Sequence, residues 1–150
     1  MLQLGLATKP KLAVRYRHMM AEDTAIWRKF INNGDYLPDV VWFDVRVGDM
    51  GTLPENPPDW MTKMAWHLLR KRIDVVGRVG VDYWVIEVKP RASYEAFGQV
   101  VYYSYAFERE YKTGGEIVPV IVTDFVDPDI LPLCSEVGVV VVEVGPGLFA

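Results

Sequence analysis

The chain has a single cysteine, two histidines and no long apolar run. Cys134 alone can form no intrachain disulfide, and no cysteine-based zinc site exists; it is expected to be buried and inert. His18 and His67 lack metal-ligand spacing to each other, so each is assigned a structural role. No stretch of about 18 apolar residues is present to span a bilayer. The opening MLQLGLATKPKLAVRYR has neither an apolar core nor a small-residue cleavage site. These absences predict a soluble, intracellular protein without membrane contact. Positive charge is also short, with 16 Lys and Arg against 20 Asp and Glu and a net charge of −4. That excludes a molecule that binds polyanions with its whole surface; any phosphate contact must use a local basic cluster.

What is present suits one compact domain over residues 1–150, without repeats, low-complexity tracts or linkers. Apolar residues make up 51% and aromatic residues 13%, enough for a real core and too much for disorder. Residues 1–17 read as an arm or edge strand. AEDTAIWRKFINN, from Ala21 to Asn33, is a helix with Ala25, Ile26, Phe30 and Ile31 on its apolar side, acids in the first turn and Asn33-Gly34 as its stop. VVWFDVRV (Val40 to Val47) is a strand, and residues 48–59, rich in Pro and Gly, form a loop. A second helix is expected from Trp60 to Lys71, its end carrying Arg70, Lys71 and Arg72. Two strand-like runs then flank Gly80-Val81. Ser93 opens a long helix that Thr113-Gly114-Gly115 terminate, followed by a buried strand (IVPVIVTDF), a short helix and a last strand. The order predicts an α/β fold, a central mixed β-sheet flanked by helices in αβββαβ-type order, with an inserted loop and helix.

The segment RIDVVGRVGVDYWVIEVKP, residues 72–90, carries the chemistry. Side chains alternate faces along a strand, so Glu87 and Lys89 share one face. A type II′ turn at Gly80-Val81 places Asp74 directly opposite Glu87, with Cβ atoms about 4.5–5.5 Å apart. Two carboxylates that close repel unless a divalent cation lies between them. Mg²⁺ or Mn²⁺ suits such oxygen donors, and Asp74, Glu87 and the main-chain carbonyl of Val88 form a candidate set. Lys89 sits in an otherwise apolar strand, where an unpaired ammonium is costly; beside a metal site it is placed to position water or offset charge. The bland alternative is a surface ladder of ion pairs with Arg72 and Lys89, worth about 0–1 kcal/mol.

Ile73-Asp74, the hairpin, Glu87-Val88-Lys89, and Gln99 with Tyr103 one turn later on the next helix resemble the PD-(D/E)XK, restriction-endonuclease-like superfamily, and within it the RecB-nuclease-like branch. The similarity covers about residues 72–105 well, with Ile73 in place of the usual proline. It implies a restriction-endonuclease-like core and a Mg²⁺-dependent nuclease acting on DNA. Asp74 and Glu87 would be metal ligands, Lys89 catalytic, and Gln99 and Tyr103 would organise the site. It also suggests an acid from the first helix, for which Glu22 is the candidate, although an acid there equally complements the helix dipole. Arg70, Lys71, Arg72 and Arg91 are candidate DNA contacts. Compact chains of this kind resemble bacteriophage proteins. The setting implied is DNA processing, recombination or repair, in the host cytoplasm or a virion. The alternative is a structural or adaptor protein that uses the fold for assembly with phage proteins or with itself.

Overall fold

The computed structural model describes residues 1–145. The elements are α1 (Ala21–Asn32), β1 (Val40–Val47), α2 (Asp59–Leu68), β2 (Lys71–Val79), β3 (Asp82–Ala92), α3 (Tyr94–Glu110), β4 (Ile117–Val126), a 3₁₀ turn (Pro128–Ile130), α4 (Leu131–Val137) and β5 (Val140–Glu143). This is the expected order. The strands form one mixed sheet in the order β1-β2-β3-β4-β5, antiparallel from β1 to β3 and parallel from β3 to β5. No helix among the described residues is long and apolar enough to cross a membrane.

Each face of the sheet has its own core. On one side, α3, Ile130 and Cys134 cover Val76, Val85 and Ile121; Phe107 is fully buried there. On the other side, α1 covers Val41, Val75, Ile86 and Val122. The buried face of α1 is Thr24, Ile26, Trp27 and Phe30. The sequence pattern chose Ala25, Ile26, Phe30 and Ile31; Ile26 and Phe30 are buried, Ile31 is half-buried against the same core, and Ala25 is exposed. Trp27 turns the helix, because its indole stacks on Phe30 and meets Phe43 of β1 edge-on, and an aromatic buries far more area than Ala. Residues 1–17 are an arm: Thr8 bridges Val41, and Trp42 donates its indole N–H to the Gly5 carbonyl.

The second helix is shorter than its pattern suggests. It ends at Leu68, and Lys71 and Arg72 open β2 by pairing with Val47 and Arg46. Backbone pairing to β1 here overrides local helix propensity. The β2–β3 hairpin follows expectation. Gly80 has φ +63° and Val81 a negative φ, as a type II′ turn requires, and the register runs from Val79↔Asp82 to Val75↔Ile86.

Along β1, Val41 and Phe43 face the α1 side, whereas Val45 and Val47 face the α3 side. Along β2, Val75 faces α1 and Ile73 faces α3. Both strands therefore change faces at one level, Asp44 in β1 and Asp74 in β2. Asp44 accomplishes this with φ +58°, a left-handed conformation that aspartate tolerates better than most residues.

Candidate active site

The hairpin register carries Asp74 to the position opposite Glu87, but the ladder stops one pair earlier, at Val75↔Ile86. Asp74 instead accepts the Val88 backbone N–H on its Oδ2 at 2.9 Å. The side chain takes over a main-chain bond and fixes the carboxylate beside Glu87. Alternation along β3 puts Glu87 and Lys89 on the α3 side, since Val85 faces α3 while Ile86 and Val88 face α1. From α3, Gln99 and Tyr103 project to the same place. All five side chains, Asp74, Glu87, Lys89, Gln99 and Tyr103, line one cavity of about 390 Å³.

The electrostatics of this cavity are strained. Glu87 is 3% exposed, and its Oε1 has no hydrogen-bond partner among the described residues. Burial first, and then the charge of Asp74, push its carboxyl well above the usual range. Burial likewise raises Asp74 to about 6, against the favourable Val88 N–H. Tyr103 is pushed up to about 12 by burial and by the charges of Glu87 and Asp74. The buried Gln99 Oε1 also lacks a partner. Lys89 is half-buried, and no ion pair within 4.0 Å joins it or Arg72 to Asp74 or Glu87 among the described residues. The bland ladder of ion pairs is therefore not formed.

Two acids stand in the first turn of α1, Glu22 and Asp23, and neither lines the cavity. Glu22 is exposed at the helix start, whereas Asp23 is half-buried. The charge of Lys89 acts on Asp23, and that of Asp23 raises both Asp74 and Glu87. The cause is the rotation of α1 about Trp27, which puts position 23, not 22, on the inner side. Among the described residues, no group of three or more His, Cys, Asp and Glu side chains is disposed to hold an ion unaided. Two carboxylates are nonetheless a sufficient protein contribution for Mg²⁺, which keeps water and substrate phosphate oxygens in its shell. The buried, unpartnered Glu87 oxygen beside the raised Asp74 carboxyl fits a cation.

The basic candidates separate. Arg70, Lys71 and Arg72 all line the cavity, and Lys71 and Arg72 are exposed. Arg70 is buried: it donates to the Gly48 carbonyl at 2.9 Å, pairs with Glu110 and lies 4.0 Å over the Trp66 ring. These contacts tie Arg70 to the loop after β1, to α2 and to α3. Arg91 lines no part of the cavity. It holds Asp127 at 2.9 Å and covers Phe125, which ties β3 to the end of β4.

Asp44 was missed by sequence reasoning. Its side chain is 2% exposed and lines the same cavity. Around it stand His18 Nε2 at 3.0 Å, Arg46 at 3.3 Å, and Arg17 and Arg72 at 3.9 Å each. The available signal was an acid inside the apolar run VVWFDVRV, the same anomaly that drew attention to Lys89. His18, assigned only a structural role, is its nearest partner and also has positive φ, +60°. No family model, curated protein or solved structure matches this chain, so the residues and their geometry carry the functional reading.

Proposed function

We propose that the chain is a metal-dependent deoxyribonuclease on a restriction-endonuclease-like core. One observation carries the reading: Asp74 and Glu87, adjacent across the hairpin, share a cavity with Lys89, Gln99 and Tyr103, and burial and mutual repulsion disfavour their ionised forms. Asp74, Glu87 and the Val88 carbonyl would hold Mg²⁺ or Mn²⁺. A divalent ion supplies Lewis acidity toward a phosphodiester and a lower pKa for water. Lys89, which forms no ion pair within 4.0 Å among the described residues, would orient the attacking water and offset charge on the phosphate. Gln99 brings an unpartnered carbonyl oxygen, and Tyr103 a hydroxyl that stays protonated at neutral pH. Lys71 and Arg72 at the mouth supply the local positive charge that the acidic chain otherwise lacks.

The adaptor reading has one observation in its favour. Trp60, Met64 and Leu68 lie at successive helical turns of α2, all exposed, and such a stripe suits a protein contact. Incubation with linear, nicked, circular and single-stranded DNA in Mg²⁺ or Mn²⁺ separates the readings. Cleavage that needs the metal and disappears in Asp74→Ala is expected. An inert wild-type protein that assembles into a particle or ring would overturn the enzyme.

A further inference from the structure

We propose that Arg17 and Arg72 form a subsite for a phosphate monoester, the phosphorylated end of a nucleic-acid strand, with Asp44 and His18 as the residues that position them. The inference rests on the nuclease reading and names the kind of substrate end that site would take.

The first observation is the charge left over around Asp44. Arg46 is the arginine closest to its carboxylate, at 3.3 Å, and its side chain is 13% exposed, so the two form a neutral buried pair. Arg17 and Arg72 stand farther off, at 3.9 Å, with side chains 71% and 51% exposed. Asp44 thus meets three arginines within 4.0 Å with one negative charge, a local excess of two positive charges around it, and the two outer arginines are the solvent-exposed ones. A phosphodiester carries one negative charge, whereas a phosphate monoester carries about −1.5 to −2 near neutral pH. The surplus matches the monoester, and paired guanidinium forks suit its oxygens.

The second observation is an unpartnered atom. Asp44 Oδ1 is buried and accepts no hydrogen bond among the described residues, although its side chain is 2% exposed. A buried carboxylate oxygen facing a gap of 3.9 Å to Arg72 describes a site whose arginine is not drawn fully onto its own acid. The arginine stays available to an outside anion.

The third is how His18 is used. The Nε2–H tautomer donates to Asp44 at 3.0 Å, and Nδ1 then accepts from Arg72 Nη1 at 3.2 Å. In that arrangement His18 links Asp44 to Arg72 and orients the guanidinium. Both His18 and Asp44 hold left-handed backbone conformations, at φ +60° and +58°. Strain of this kind persists where surrounding contacts over-determine it, as at ligand clamps.

Position completes the argument. Asp44 stands on β1 at the level of Asp74 on β2, as the pairs Phe43↔Val75 and Val45↔Ile73 show. Neighbouring strands lie about 4.8 Å apart. A phosphate on Arg17 and Arg72 is therefore next to the carboxylate pair, inside the same cavity. A strand end anchored there presents its nearest linkages to Asp74 and Glu87.

The test is fluorescence anisotropy in EDTA, where no cleavage complicates binding. The probes are single-stranded DNA oligonucleotides of one sequence, bearing a 5′-phosphate, a 3′-phosphate or hydroxyls at both ends. One phosphorylated form is expected to bind at least about tenfold more tightly than the hydroxyl form. Arg17→Gln with Arg72→Gln should remove that preference, and Asp44→Asn should weaken it while keeping a residue that tolerates positive φ. Equal affinity for all three oligonucleotides in the wild-type protein, which needs no variant, overturns the proposal. A preference that survives loss of both arginines overturns it as well. The nuclease reading fails separately: end preference without any metal-dependent cleavage leaves the subsite standing, and cleavage without end preference leaves only the nuclease.

Discussion

Asp74 reaches across the hairpin and accepts the backbone N–H of Val88 at 2.9 Å, the residue after its carboxylate partner Glu87. The bond replaces a rung of the β2–β3 ladder, which ends at Val75↔Ile86. It holds two acids together in a buried place where neither ionises easily. The fold therefore bears a cost at this point, and a cation is the natural relief.

That cost predicts how stability depends on pH and metal. Asp74 sits at about 6 when folded against an ordinary 3.8, and Glu87 is also raised, by burial and by the charge of Asp74. A folded acid with a raised pKa binds protons more tightly than the unfolded chain. Metal-free stability is then highest below pH 4 as far as these groups go, and falls as pH rises through about 4 to 6 and beyond, by on the order of 2–3 kcal/mol. Mg²⁺ or Mn²⁺ should restore it, raising the melting temperature by several degrees at pH 8 and hardly at all at pH 5. Glu87→Gln should raise the metal-free melting temperature at pH 8 and remove most of the metal effect. An unchanged metal shift in that variant would show that the ion binds elsewhere.

Lys89 separates catalysis from folding. It forms no ion pair within 4.0 Å among the described residues, and its charge reaches Asp23, Asp74 and Glu87 only at longer range. Lys89→Met, which keeps the stem, should leave the melting temperature within about 2 °C of wild type and should preserve the metal-induced shift. Cleavage should fall at least about 100-fold, chiefly in kcat, as for loss of one group that stabilises transition-state charge. Activity within threefold of wild type would remove Lys89 from the site.

The parts of this site legible in the sequence were those set by short-range rules. Gly80 needs positive φ and fixes the hairpin register, and period-two alternation then puts Glu87 and Lys89 on one face. What the sequence hid depends on distant partners. Asp23, not Glu22, turns inward because Trp27 packs under Phe43, sixteen positions away. Asp44 acquires its neighbours from the arm and from β2. Arg70, Lys71 and Arg72 read as one basic helix end, yet pairing with β1 makes the last two a strand, and Gly48, Trp66 and Glu110 bury the first.

Arg70 gives the sharpest contrast with that basic run. Its guanidinium is buried against Gly48, Trp66 and Glu110, and Glu110 also accepts the Gly48 N–H at 2.8 Å. Glu110→Ala leaves a buried cation without its anion and should cost about 3–5 kcal/mol in urea unfolding. Arg70→Met, which fills the space without charge, should cost less, and neither change should alter DNA affinity at temperatures where the protein is folded. An Arg70→Met variant of native stability with weakened DNA binding would return Arg70 to the interface.

Two glycines should respond to alanine with opposite signs. Gly98 lies inside α3 on its exposed side, where an added Cβ meets nothing within 4 Å. Glycine in a helix interior costs roughly 0.5–1 kcal/mol relative to alanine, because the unfolded chain has more freedom to lose. Gly98→Ala should therefore raise stability by about that amount. Gly115 closes onto the hairpin, and a Cβ there would fall 2.2 Å from the Val81 carbonyl oxygen and 2.5 Å from Asp82 Oδ1. Asp82 Oδ1 also accepts the Glu116 N–H, so the neighbour that must yield is already committed. Gly115→Ala should cost about 1–3 kcal/mol, as overpacking does. It should also loosen the turn that sets the Asp74–Glu87 register. Thermal unfolding of the two variants checks the signs, and hydrogen exchange at the β2–β3 amides checks the second effect. If Gly115→Ala proved neutral with unchanged exchange at Val88, the turn would not depend on this contact and the register would rest on Gly80 alone.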